Sequence, residues 1–142
     1  MITFLSFILV IGVVVFIHEL GHFLAAKSVG VRVEKFYIGF NLFGLGWKKD
    51  YKGTEYGVGL FPLGGYVKLA GVIDESMDIQ SAGSDDEFKS KNTLQKIWVM
   101  SAGVIMNFIL AIFIFSHLTY YNGLSEPDRS TTIGEIVPHL KN

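Results

Sequence analysis

The stretch VVVFIHELGHFLAAK, Val13 to Lys27, closes a long apolar run with two histidines and a glutamate. Ionisable side chains beside hydrocarbon are expensive and tend to mark function. Ile2 to Ile17 carries no Asp, Glu, Lys or Arg, and neither does Ile97 to Ser125. A helix of roughly 20 apolar residues crosses a bilayer, so these runs predict two membrane spans. The first is expected from about Ile2 to Ala26, helical because hydrocarbon offers backbone groups no other partner. Lys27 can snorkel to the interface, and Ser28-Val29-Gly30 supplies a stop.

The remaining composition agrees. A chain of 142 residues has the length of one domain, and at 50% apolar it is too greasy for an ordinary soluble one. The net charge of −1, with no basic cluster, excludes nucleic acid as a partner. Without cysteine there is no disulfide framework, and any metal must be held by His, Asp or Glu. A cleaved signal peptide is disfavoured, because the positive n-region is missing and the apolar run passes into HELGH rather than a cleavage site.

Working outward, Val31 to Gly71 alternates short segments rich in Val, Tyr and Phe with glycines, which reads as strands and turns. YKGTEYGVGLF predicts a hairpin turning at Lys52-Gly53, and GGYVKLAG a further strand. Phe36, Tyr37, Phe40, Leu42, Phe43, Leu45 and Trp47 make the first half of this sheet apolar enough to dip into a membrane; packing on itself or on a partner is the other reading. VIDESMDIQSAGSDDEFKSKN is polar and acidic, as expected of a mobile surface loop. Asn92 or Thr93 then caps the second span, which ends at the interfacial pair Tyr120 and Tyr121.

The expected fold class is therefore membrane α-helical with a small β-sheet. Two transmembrane helices, residues 1–28 with HELGH and residues 93–121, are joined by a glycine-rich, partly membrane-associated β-hairpin or sheet (29–71) and a polar acidic loop (72–92). A tail follows (122–142). Of the 12 Lys and Arg, only Arg129 and Lys141 lie outside the spans and their connection. The positive-inside rule then makes the sheet and loop cytoplasmic and both termini extracytoplasmic, in an integral membrane protein.

On a helix, His18 and His22 stand one turn apart on one face, so their imidazoles can hold one ion. Zinc suits two nitrogens with a further ligand and an open position. Glu19 occupies the place where HExxH enzymes put a general base rather than a ligand, able to take a proton from a metal-acidified water and pass it to a leaving amine. Gly21 removes bulk where a substrate backbone could approach. The bland alternative, histidines packing a helix end, must explain three ionisable groups in a spanning helix with no cation before Lys27. A third protein ligand is not evident: His117, His139, Asp74, Glu75 and Asp78 are the remaining candidates, each poorly placed. On the second span Gly103, Asn107 and Ala111 share a face, with Ser101 nearby. Close helix packing accounts for them, and so does a role for Asn107 beside the metal.

Three segments in order, FIHELGHFLAAKSVGVRVEKFYIGFN, FPLGGYVKLAG and MSAGVIMNFILAIFIF, resemble the amino-terminal half of the site-2 protease family, in its bacterial regulator-of-sigma-E protease group. The resemblance implies an intramembrane zinc metalloprotease of the bacterial inner (cytoplasmic) membrane. Its expected substrate is a single-span membrane protein, typically an anti-sigma factor, cut in regulated intramembrane proteolysis. By the same resemblance His18 and His22 hold Zn2+ and Glu19 is the base. Phe36 to Lys68 is similar to the family's membrane re-entrant hairpin and substrate-binding edge strand, so Gly64, Gly65, Tyr66 and Val67 are expected to hold an unwound substrate by β-addition. Asn107 matches the family's Gly-x-x-x-Asn element; Val104 stands where relatives often have proline. The family's third zinc ligand, an aspartate in an LDG-type motif on a later span, has no counterpart here, and IGEIVP resembles only the opening of its PDZ domain. The expectation is a part of a longer protein whose carboxyl-terminal half supplies the third ligand, weak in zinc binding and cleavage by itself. A non-catalytic two-span binding module is the competing reading; a soluble HExxH peptidase would need both apolar runs to be core helices, against their length.

Overall fold

The computed structural model describes residues 1–40, 46–59, 61–72 and 83–123. The apolar segment at Leu42, Phe43 and Leu45, the acidic stretch with Asp74, Glu75 and Asp78, and the tail with His139 lie outside the described residues. Two helices and a four-stranded sheet make up the described fold.

Helix α1 spans Ile2–Ser28. It stops where the Ser28 hydroxyl donates to the Ala25 carbonyl at 2.7 Å and Val31 N–H reaches back to Ala26 O at 2.9 Å. Gly30, at φ +68°, makes the turn that a side chain would resist. Helix α2 spans Thr93–Asn122 and opens with a capping box: Gln95 N–H donates to Asn92 Oδ1 at 2.9 Å, and Asn92 N–H to Gln95 Oε1 at 3.1 Å. Both helices are long and apolar enough to cross a membrane. Their large apolar residues, among them Phe7, Leu9, Phe108 and Phe113, point outward rather than into a core.

The helices run antiparallel and meet through small residues. A Cβ on Gly21 would stand 2.5 Å from the Ala102 carbonyl oxygen, so glycine lets the backbones approach. Below this crossing lies the core, built from Ala25, Ala26, Val31, Val33, Val99 and Ala102, with Phe23, Val67, Leu69 and Phe88 packed against it.

The strands are β1 (Val33–Phe40), β2 (Gly46–Tyr51), β3 (Thr54–Gly59) and β4 (Phe61–Leu69), in the order β2-β3-β1-β4. Strands β2 and β3 form the hairpin expected at Lys52-Gly53, both at positive φ (50° and 77°), the backbone that a tight two-residue turn demands. Parallel pairing of β1 with β3 was not foreseen from the sequence; β1 pairs antiparallel with β4 on its other side. One face of β1 packs Phe36 against Phe16 and Phe23 of α1. On the opposite face Tyr37 stacks on Tyr66 at 5.1 Å, its ring lying where any side chain on Gly57 would be. Thr54 ties the layers together: its buried hydroxyl donates to Val33 O at 2.8 Å and accepts from Lys27 at 3.4 Å.

The expectation of a mobile loop from Val72 to Asn92 is narrowed for its second half. Arg32 pairs with Asp86 at 2.8 Å, Phe88 N–H donates to Ala70 O at 2.8 Å, Glu87 is buried against Gly71, and a single 3-10 turn runs Phe88–Ser90. The apolar Phe88 anchors this segment beneath β4 and α2.

Candidate metal centre

Successive turns of α1 place His18 and His22 one above the other, facing α2. Their Nε2 atoms stand 3.1 Å apart. Two imidazole nitrogens on one tetrahedral zinc, each about 2.0 Å from the ion, are separated by about 3.3 Å, so the pair is already spaced for a shared ion.

What holds the rings comes from α2. The Nδ1 of His22 lies 2.7 Å from the Val99 carbonyl, which can only accept, so this nitrogen carries the proton and Nε2 keeps its lone pair. His18 Nδ1 lies 3.3 Å from Nδ2 of Asn107, while Asn107 Oδ1 is buried with no partner. Turning that amide by half a rotation puts its oxygen on a His18 Nδ1–H, which leaves the second Nε2 lone pair free like the first. Between the two anchors Gly103 leaves the room: a Cβ there would be 2.5 Å from His22 Nε2 and 2.6 Å from His18 Nε2. The orphaned acceptor, the cradle that one methyl group would fill, and two converging imidazoles fit zinc as half of a ligand set.

The other half is not in view. No group of three or more His, Cys, Asp or Glu side chains placed to hold a metal occurs among the described residues. His117 stacks with Phe113 and Tyr121 near the far end of α2, about 15 Å along the helix from Asn107, and does not join the pair.

Glu19 lies on the side of α1 that faces β4. A Cβ on Gly65 would meet Glu19 Cγ at 3.1 Å and the Tyr37 carbonyl at 2.7 Å, so the strand passes close to this carboxylate only because residue 65 is glycine. Val67 and Glu19 line one cavity, whereas Tyr66 points to the Tyr37 face. Strand β4 ends the sheet order, so among the described residues one of its edges has no strand neighbour. Of the second-span residues, Gly103 and Asn107 reach the histidines and Ala111 is exposed. Across the helix crossing, Asn107 makes its contact with a histidine of the pair. Sequence reasoning missed the Val99 carbonyl, which has no signature, and the ring-cradling use of Gly103, whose signal is its place one turn before Asn107.

The peptidase family M50 matches residues 6–140. The chain is 44% identical over 114 residues to a Campylobacter jejuni protein named as a presumed zinc metalloprotease, covering 80% of this chain and 30% of that one. It is 40% identical over 134 residues to protease RseP of Yersinia pestis, covering 94% and 28%. Identity is also 40%, over 136 residues, to the regulator of sigma E protease of Haemophilus influenzae, covering 94% and 29%. The chain thus spans under a third of the length of these relatives.

Proposed function

The chain belongs to peptidase family M50, the site-2 proteases, and from that premise we propose that it is the amino-terminal part of an intramembrane zinc endopeptidase that cuts a single-span membrane protein such as an anti-sigma factor. The observation that carries this reading is the 3.1 Å approach of two imidazole nitrogens in a helix fit to cross a membrane. His18 and His22 would hold the zinc, and a carboxylate from a part of the longer protein outside this chain would complete its ligands. Bound zinc supplies a Lewis acid that acidifies water and polarises a peptide carbonyl. Glu19 takes the proton from the attacking water and returns it to the leaving amine nitrogen. Gly64, Gly65, Tyr66 and Val67, along the outer edge of β4, hold the substrate as an added strand. That exposes a peptide bond which a helix would shield.

The outward apolar surface of α1 and α2 supports an integral membrane protein, since in water so large a patch would drive association. The bacterial relatives and the lysines between the helices support the cytoplasmic membrane, with the sheet inside and both termini outside. Exposed Trp47 and Tyr51 on β2 support partial immersion of the sheet at the interface.

The test is cleavage of a single-span substrate in proteoliposomes by the protein at its relatives' length. Glu19→Gln lowers the rate by about 10² to 10⁴ if the carboxylate is the base. The lack of a third ligand among the described residues favours the competing non-catalytic module. That reading prevails if the zinc-loaded long protein cleaves nothing.

A further inference from the structure

Away from the histidine pair, the corner between the last turns of α1 and the outer strands β2 and β3 gathers cations without acids. Lys27 reaches Thr54 Oγ1 at 3.4 Å and lies over the Phe23 ring at 5.7 Å. Thr54 is the cross-strand neighbour of Tyr51, and the Lys52 ammonium stands 5.3 Å from the centre of the Tyr51 ring. Lys49 is opposite Tyr56, whose ring lies 6.0 Å from Phe23, so it belongs to the face of the sheet turned toward α1. The acids of these strands, Asp50 and Glu55, are opposite each other on the other face, where Glu55 takes the Tyr37 hydroxyl. Lys35 and Lys48 pair with Glu55, but among the described residues no carboxylate pairs with Lys27, Lys49 or Lys52. A cation in the last turn of α1 is accounted for by the helix dipole; two more brought to it by a separate element repel it unless an anion is shared.

The same face changes character along the strands. Gly65 lies against Val15 and Glu19 of α1, Ile38 is its register partner, and Val58 is in turn the register partner of Ile38. Val58 and its cross-strand neighbour Trp47 therefore sit about 13 Å from the Thr54 end, back along α1 toward the middle of the span. Both are open to the surroundings, Val58 at 50% and Trp47 at 61% exposure. Cations and a tyrosine at the end of the helix, with a tryptophan and a valine deeper, reproduce the polarity profile of one phospholipid: a charged headgroup above an apolar chain.

Resting on the membrane reading above and not on the peptidase chemistry, we propose that this corner binds one phospholipid with an anionic headgroup. Lys27, Lys49 and Lys52 hold its phosphate, and its acyl chain lies along Trp47 and Val58. The cytoplasmic leaflet, where the lysines between the helices place this end, is the side on which anionic headgroups draw basic segments.

The experiment uses the protein at its relatives' length in phosphatidylcholine vesicles, with Trp47 alone carrying fluorine. Broadening of that fluorine resonance is followed as phosphatidylglycerol or phosphatidylcholine, spin-labelled on the upper acyl chain, is added. The glycerol lipid is expected to reach half its effect at a mole fraction at least tenfold below that of the choline lipid. Lys49→Gln, and Lys52→Asn, whose side chain suits the positive φ of the turn, each lower this preference about fivefold. Lys49→Arg keeps it, and so does Lys89→Gln, which removes an exposed charge elsewhere in the connection. Equal broadening by the two lipids overturns the site, as does an unchanged preference in both lysine variants. An equal loss in Lys89→Gln would reduce it to diffuse surface charge, and displacement by inorganic phosphate at constant ionic strength would make it a site for a free anion; either overturns the lipid assignment. Broadening by neither lipid overturns the immersion of this face in the membrane, and the site with it, while leaving zinc binding and cleavage untouched.

Discussion

His18 and His22 approach each other through their Nε2 atoms at 3.1 Å, while the opposite nitrogen of each ring is engaged by α2, at the Val99 carbonyl and at Asn107. The second helix thus supports from outside the two rings proposed to hold the metal. That division of labour is what the following outcomes examine.

Gly103→Ala puts a methyl group within 2.6 Å of both rings. Overpacking of this kind costs about 1 to 3 kcal/mol, relieved here by swinging the imidazoles apart. Zinc affinity is expected to fall at least tenfold in an equilibrium titration in detergent. Wild-type affinity would show that the rings do not need this space.

Asn107→Leu removes the group beside His18 Nδ1. Loss of an outer partner of a metal-bound histidine lowers affinity about 10- to 100-fold. Asn107→Asp, which keeps an acceptor, should restore much of it. Equal binding by all three proteins would reduce Asn107 to a packing residue.

Gly65→Val separates the proposed base from the proposed ligands. A side chain there meets Glu19 and the Tyr37 backbone but neither histidine ring. Zinc binding should persist while cleavage by the longer protein falls at least tenfold. Parallel loss of metal and activity would point instead to general damage to the sheet.

The Tyr37–Glu55 pair makes the sheet sensitive to pH at both extremes. Tyr37 donates to Glu55 at 2.6 Å, which holds the carboxyl below its ordinary 4.5, helped by Lys35 and Lys48 against burial. The same bond, with burial and the charge of Glu55, pushes the Tyr37 hydroxyl up to about 12. A depressed acid stabilises the fold above its unfolded value, so this contribution fades as pH falls below about 4.5 through the lowered native value. A raised phenol stabilises below pH 10, and its contribution fades as pH climbs from 10 through about 12. Tyr37→Phe should flatten both limbs of a stability profile followed by thermal unfolding; identical profiles would show that the bond contributes nothing.

Much of this was legible where the information is local. The two helices show as charge-free runs, the histidine pair as an i, i+4 spacing, and the β2–β3 turn as Lys-Gly between alternating segments. Legibility ended where partners are distant in the chain. Pairing of β1 with β3 depends on a register between separate strands, and His22 finds its acceptor 77 residues away in a backbone carbonyl that every residue possesses. Gly57 and Gly103 read as turn or packing glycines, because the rings they accommodate come from other elements. Glu87, in a stretch acidic enough to look solvated, is buried through the local anchoring of Phe88.

The most direct measurement is zinc-edge X-ray absorption on the protein at its relatives' length, unsubstituted and as His18→Ala, His22→Ala and Glu19→Gln. The expected result is two imidazole ligands, one lost or the metal lost entirely in each histidine variant, and an unaltered first coordination sphere in Glu19→Gln. Zinc retained with unchanged ligands in both histidine variants, or a ligand lost in Glu19→Gln, would contradict the assignment of His18 and His22 as the metal's holders and Glu19 as its base.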